Sequence, residues 1–226
     1  MRVYGNVTAQ IGDGALITAP NVTIAALAQD GDDGVESDGY VGAIGAVGLR
    51  AVAADALVTN TVTATLAGTL AAPSGAAGAT TAAVTAADTT TVTTNTYGDA
   101  AGAVGAAASV SHASKTSTVQ AGTAGTTLQD YDATLVAASG RGAVTAYAQA
   151  AAGGIFGAGA GADAEATDGA TITASFDSAS AITGGGSLTI SAGDTPETSA
   201  QASGVAVSAG VGVGVSLATA TAAPTV

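Results

Sequence analysis

Four five-residue segments, each alternating apolar with polar or small residues, recur at nearly constant spacing along this 226-residue chain. They occupy residues 7–11, 62–66, 119–123 and 172–176, so successive copies begin 55, 57 and 53 residues apart. A two-residue period is typical of a β-strand with one buried face. The repetition predicts an array of similar stacked units rather than one thick globular core.

Stacking the four copies in register predicts which side chains point inward. A second alternating segment follows each copy and adds one further inward position per repeat. The predicted stacking core consists of Val7, Ala9, Ile11, Val62, Ala64, Leu66, Val119, Ala121, Ile172, Ala174, Phe176, Ile24, Val84, Leu135 and Ile190. A third segment, rich in Gly and Ala, recurs near residues 42–48, 102–106, 153–159 and 209–215. Glycine inside a strand indicates a bend or a close approach of two backbones.

The composition favours a thin interior. The chain has no Trp, two Phe and 33 Gly, so Ala, Val and Thr must fill most of its core. Gly, Thr and Val interrupt every Ala run, and no helical apolar period is sustained. We therefore predict an all-β fold, a parallel β-solenoid of four imperfect repeats of about 55 residues with little or no helix. The predicted single domain is 1–226, with repeats 6–60, 61–117, 118–169 and 170–226.

The sequence does not determine the number of coils in each repeat. A repeat of this length accommodates three short coils, or fewer coils with long strands. With strands about 4.8 Å apart, three coils per repeat would make the whole chain roughly 55–60 Å long.

The charge balance disfavours several partners. Net charge is −13 with four basic residues, whereas nucleic acids and anionic membranes bind clustered Lys and Arg. The uncharged stretches are mostly Ala, Gly, Ser, Thr and Val, which disfavours a transmembrane helix. Without Cys, the chain has no disulfide or thiolate metal site. We predict no nucleic-acid partner and no transmembrane segment.

One acidic stretch is a candidate calcium site. Carboxylates at Asp30, Asp32, Asp33, Glu36 and Asp38 surround glycines, and calcium takes six to eight oxygen ligands. Their spacing matches neither an EF-hand loop nor the repeat of calcium-binding β-rolls. The alternative is a solvated acidic turn. No other cofactor is predicted.

Catalytic and ice-binding alternatives have weaker support. His112, the only histidine, has no Gly-x-Ser-x-Gly elbow to accompany it in a hydrolase triad. A polysaccharide-cleaving β-helix would have only Arg50, Lys115 and Arg141 as basic groups, in different repeats. An ice-binding face would need regular Thr rows, which Gln10, Gln120 and Gly122 interrupt. We therefore predict that the protein is not an enzyme.

The two ends of the sequence lie at the same phase of the repeat. Val226 aligns with Val62 and Val7, and neither end shows a polar cap or an amphipathic capping helix. Solenoids need such caps to protect their open edges. The sequence thus predicts either a piece of a longer array or copies that stack head to tail into a homopolymer.

The repeats resemble the Gly/Ala/Thr/Val-rich β-helical regions of large bacterial exoproteins. These include filamentous-haemagglutinin-like and leukotoxin-like filamentous adhesins and autotransporter passengers. Residues 11–19 followed by 21–24, and 184–192 followed by 204–220, carry the resemblance. It implies a structural protein on the bacterial surface, a filament or adhesin stalk. The alternative is a module that binds surface glycans or a host surface, with or without calcium.

Overall fold

The computed structural model describes residues 1–31 and 34–226, and in that part of the chain it contains strands and no helix. The ten strands are β1 (Arg2–Ile11), β2 (Leu16–Thr18), β3 (Asn21–Ala28), β4 (Val35–Ala71), β5 (Thr81–Asp88), β6 (Val92–Gln129), β7 (Ala133–Ser175), β8 (Ala181–Thr183), β9 (Ser187–Ser208) and β10 (Val211–Ala222). All pairs between these strands are parallel. The predicted all-β parallel solenoid is therefore confirmed.

Each sequence repeat makes a single coil. Val7 pairs with Val62, Val62 with Val119, and Val119 with Ile172, so one repeat advances the chain by one strand spacing. Four coils stack to a height of about 19 Å at about 4.8 Å per strand. The alternative of three short coils per repeat, and the rod of 55–60 Å that it implied, is wrong. The repeat is long because each coil is wide.

Every coil follows the same path through four walls, which we call A to D. In coil order, wall A is 7–18, 62–71, 119–129 and 172–183; wall B is 21–28, 81–88, 133–140 and 187–194; wall C is 35–45, 92–102, 144–154 and 198–208; wall D is 47–58, 104–115, 157–168 and 211–222. Walls C and D face each other across a thin interior, where Ser109 Oγ donates to Thr96 Oγ1 at 2.7 Å. Walls A and B face each other in the same way.

The interior consists of two separate apolar cores. Walls A and B enclose Val62, Val119, Ile172, Val84 and Val136, all essentially buried. The core between walls C and D is lined largely by alanines that run along β7. Alanine suffices there because the facing strands lie close together, which accounts for the scarcity of large side chains.

The inward face of wall B differs from the prediction at one position. Ile24, Val84, Val136 and Ile190 form one column, meaning residues in register on successive coils. Leu135 is 37% exposed and pairs with Ala83 on the outer face. Its predicted place in the core is wrong, because strand residues alternate between faces and a one-residue slip reverses the direction of every side chain.

The Gly/Ala-rich segments form the tight bend between walls C and D. A Cβ built at Gly102 would overlap the carbonyl oxygen of Gly45, and one at Gly154 would overlap that of Gly157. Side chains at these positions would push the two walls apart. Glycine is thus required by close backbone approach, in agreement with the predicted role of this segment.

Candidate functional sites

The fourth coil forms one end face of the solenoid, which we call the upper end face, and it leaves apolar inward positions uncovered. In the wall B column, Val136 of the third coil is 0% exposed, whereas Ile190 of the fourth coil is 46% exposed. Leu188, two residues earlier on the same face, is exposed as well. The cause is geometric: β3 of the first coil contacts both β1 and β4, whereas β9, among the described residues, has only β7 and β10 as neighbouring strands.

The first coil forms the lower end face, where more inward positions are partly uncovered in wall A than in wall B. Val7, Ala9 and Ile11 of β1 lie half-buried, whereas their partners one coil higher, Val62, Ala64 and Leu66, are buried. In the fourth coil, Ile172 is buried, and Ala174 and Phe176 pack against the core from half-buried positions. Ala121 of the third coil is buried. The two end faces therefore expose complementary walls, A below and B above.

A buried charge cluster separates the two cores. The Asp88 carboxylate accepts hydrogen bonds from Asn60 Nδ2 at 3.3 Å and Thr90 Oγ1 at 2.8 Å, and another from Ser117 Oγ. Lys115, at the end of wall D, lies beside it. A buried charge is tolerated when it is paired and fully hydrogen-bonded, and Asp88 meets both conditions.

Asp168 and Asp194 enlarge this cluster on the third and fourth coils. Asp168 is in register with Lys115, and Asp194 stands two coils above Asp88, with Gly140 between them. Both acids carry a buried carboxylate oxygen with no hydrogen-bond partner among the described residues. Burial raises the pKa of Asp168, Lys115 opposes this effect, and Asp194 and Asp88 add to it.

The sequence did not single out this cluster as a site. Its signal was an isolated charge in an alternating apolar segment, as at Asp88 in 81–88. Such a charge points inward only if the register of its strand is known, and sequence spacing alone left that register undetermined.

The acidic stretch considered for calcium is only partly described. Asp32 and Asp33 lie outside the described residues. Asp30 accepts a hydrogen bond from the Thr91 amide, while Glu36 and Asp38 accept from Asn95 Nδ2 at 3.1 and 2.9 Å. Across residues 1–31 and 34–226, no three metal-binding side chains come together. Calcium binding stays a prediction.

His112 lies on the outer surface of wall D. Its Nε2 is 3.9 Å from Asp163 Oδ2 in the neighbouring coil, and both side chains are partly exposed. Ser111, the adjacent residue, points inward and donates to Thr94 Oγ1. Because successive strand residues face opposite sides, Ser111 and His112 are held on different faces of the wall.

Comparisons with known proteins add no relative. Within the described residues, no helix has the length and apolar character needed to cross a membrane. No protein-family model matches the chain, and no curated protein or solved structure is detectably similar to it.

Proposed function

We propose that the chain is a structural subunit of a β-solenoid filament or adhesin stalk, in which copies stack head to tail on the bacterial surface. The observation that carries this proposal is the exposure of Ile190 beside the full burial of Val136 in the same column. The chain's own Thr225 already bridges to Thr171 at the start of the uppermost wall A strand. A wall A strand that continues above 173–176 would cover Ile190 as the existing strands cover Val136. A second copy of the chain supplies such a strand, residues 7–11, at its lower end face.

Backbone pairing supports the same arrangement. Within the described strands, β9 and β10 pair only with β7, so their upper edges have no partner. An edge with unpaired amides and carbonyls is a template for another parallel strand. A contact between the upper face of one copy and the lower face of the next is heterologous and does not close, so repeated contacts make a filament.

The test combines electron microscopy with sedimentation of the purified chain over a range of concentrations. The parent chain is expected to form unbranched fibres with an axial repeat near 19 Å, about four strand spacings. Ile190→Lys is expected to abolish association, because an ammonium group would be buried unpaired at the contact. Thr189→Lys, on the outer face of the same strand, is the matched control and should assemble like the parent.

Two results would contradict the proposal. One is a parent chain that remains a single short rod at every concentration. The other is equal assembly by the Ile190 and Thr189 variants, since it would show that the exposed inward face of wall B takes no part in the contact. Circular dichroism of both variants establishes that the coils are intact.

A further inference from the structure

The outer surface of wall C carries an apolar trough near the bend. Its floor consists of Ala101, Ala151 and Gly153 on the two middle coils, and its volume is about 620 Å³. Ile44 of the first coil and Val207 of the fourth stand in the same column as Ala101 and Gly153 and form opposite rims. The trough exists because the second and third coils have small side chains at positions where the first and fourth coils have large ones.

The rims are unusually exposed for apolar side chains. Ile44 is 94% exposed and Val207 is 68% exposed, and Val205 continues the second rim. Elsewhere the outer face of wall C carries mainly Thr, Ser, Asn and Gln. A concave apolar patch of this kind indicates a ligand site, and its volume falls in the usual range of roughly 300–1,000 Å³.

The trough contains one charged group, the Asp99 carboxylate. Gly42 and Ala151 are its neighbours in register, and neither is large enough to cover it. Among the described residues, Asp99 forms no ion pair and no side-chain hydrogen bond. The outward positions of wall C from Glu36 to Ile44, followed through all four coils, include two further carboxylates and no Lys or Arg. The site is thus electrostatically suited to a cation.

The Tyr40 ring borders the trough beside this carboxylate, and two further tyrosines lie near it on the same outer face of wall C. Tyr40 and Tyr97 are in register on adjacent coils, and the Tyr97 ring centroid is 5.5 Å from that of Tyr147. The Tyr40 ring leans along its own strand, so that its hydroxyl lies 3.6 Å from the place a Cβ would take at Gly42. Faces of aromatic rings attract ammonium groups, most strongly quaternary ones.

We propose that this trough binds an amphipathic organic cation. The ammonium group pairs with Asp99 against the Tyr40 ring, and the apolar portion lies over Ala101 and Gly153 between Ile44 and Val207. The net charge of −13 also favours a positively charged ligand. The site is on the outer face of the coils, so it remains accessible whether or not copies stack at their ends.

Isothermal titration with hexyltrimethylammonium tests the proposal. Saturable binding to one site per chain is expected, and binding should weaken with added salt because the Asp99 pair is exposed. Hexanoate, which has a similar apolar chain and the opposite charge, is expected to bind at least about tenfold more weakly, a difference of about 1.4 kcal/mol. Tetramethylammonium, which has the charge without the chain, should also bind more weakly.

Two variants assign the binding to this trough. Asp99→Asn is expected to weaken hexyltrimethylammonium binding about fivefold, whereas Asp38→Asn, the same change outside the trough, should alter it less than about twofold. Gly153→Val should fill the floor and abolish binding; a Cβ there meets nothing within 4 Å, so we expect the fold to be retained. Absence of saturable binding, equal binding of hexanoate, or equal effects of the two Asp variants would overturn the proposal.

Discussion

Lys115 Nζ lies 3.7 Å from Asp88 Oδ2, and the two side chains are 2% and 0% exposed. The pair joins the end of wall D to the end of wall B, between the two apolar cores. Lys115 also donates to the carbonyl oxygen of Arg141 at 3.1 Å, which connects it to the next coil. Lys115 therefore connects two walls through its ion pair and two coils through its hydrogen bond.

Removing the lysine should destabilise the fold strongly. Lys115→Met would leave Asp88 buried without its cation, and we expect the free energy of unfolding to fall by about 3–5 kcal/mol. Urea denaturation monitored by circular dichroism measures this loss. Arg50→Met, which removes an exposed positive charge, should change stability by less than about 0.5 kcal/mol. Equal effects of the two substitutions would mean that the pair at Asp88 contributes nothing specific.

Asp168 should make the fold less stable as pH rises. Burial raises its pKa above 3.8, so the folded chain holds this proton more tightly than the unfolded chain. The contribution of protonated Asp168 to the free energy of unfolding is fully present below about pH 3.8 and is lost as pH rises through the raised pKa of the folded state. Asp168→Asn removes that loss, so the variant should melt above the parent at pH 7 and near it at pH 3.5.

The difference in melting temperature between variant and parent isolates Asp168 from other carboxyl groups. Hydrogen bonds from Ser180 and Gly125 lower the pKa of Asp177, which therefore acts in the opposite direction. Glu165→Gln, at an exposed position on the same strand, is the control and should show no growing difference with pH. A constant offset for Asp168→Asn between pH 3.5 and pH 7 would contradict the assignment.

The bend between walls C and D should distinguish two adjacent glycines. A Cβ at Gly154 would overlap the Gly157 carbonyl oxygen, whereas a Cβ at Gly153 meets nothing within 4 Å. Gly154→Ala should therefore lower the free energy of unfolding by about 1–3 kcal/mol, as forced overpacking does. Gly153→Ala should be close to neutral. If chemical denaturation finds the two variants equally stable, the bend is more open than described.

The register of wall B can be tested with two adjacent residues. Val136 is fully buried and Leu135 lies on the outer face. Val136→Asp should prevent folding or cost several kcal/mol, since an unpaired carboxylate would enter the core. Leu135→Asp should retain the parent's circular dichroism and melting behaviour within a few degrees. The reverse ranking would restore the register in which Leu135 points inward.

Much of the stacking could be predicted because the same pattern recurs. Val7, Val62, Val119 and Ile172 are aligned by sequence spacing, and the structure pairs them in that register. The slip at Leu135 has a local cause: Leu135 and Val136 are both apolar, so alternation did not indicate which of them faces inward. The turn before wall B also varies in length, so spacing could not decide between them.

The sequence by itself determined the strand content, the parallel stacking of repeats and the residues of the wall A columns, because these depend on a pattern repeated four times. Only the tertiary structure decided that one repeat is one coil, which walls face each other, and that Lys115 meets Asp88. It also decided that Ile44 and Val207 enclose a trough. Each of these depends on where the chain bends within a repeat and on side chains from different coils, and neither leaves a periodic signal in the sequence.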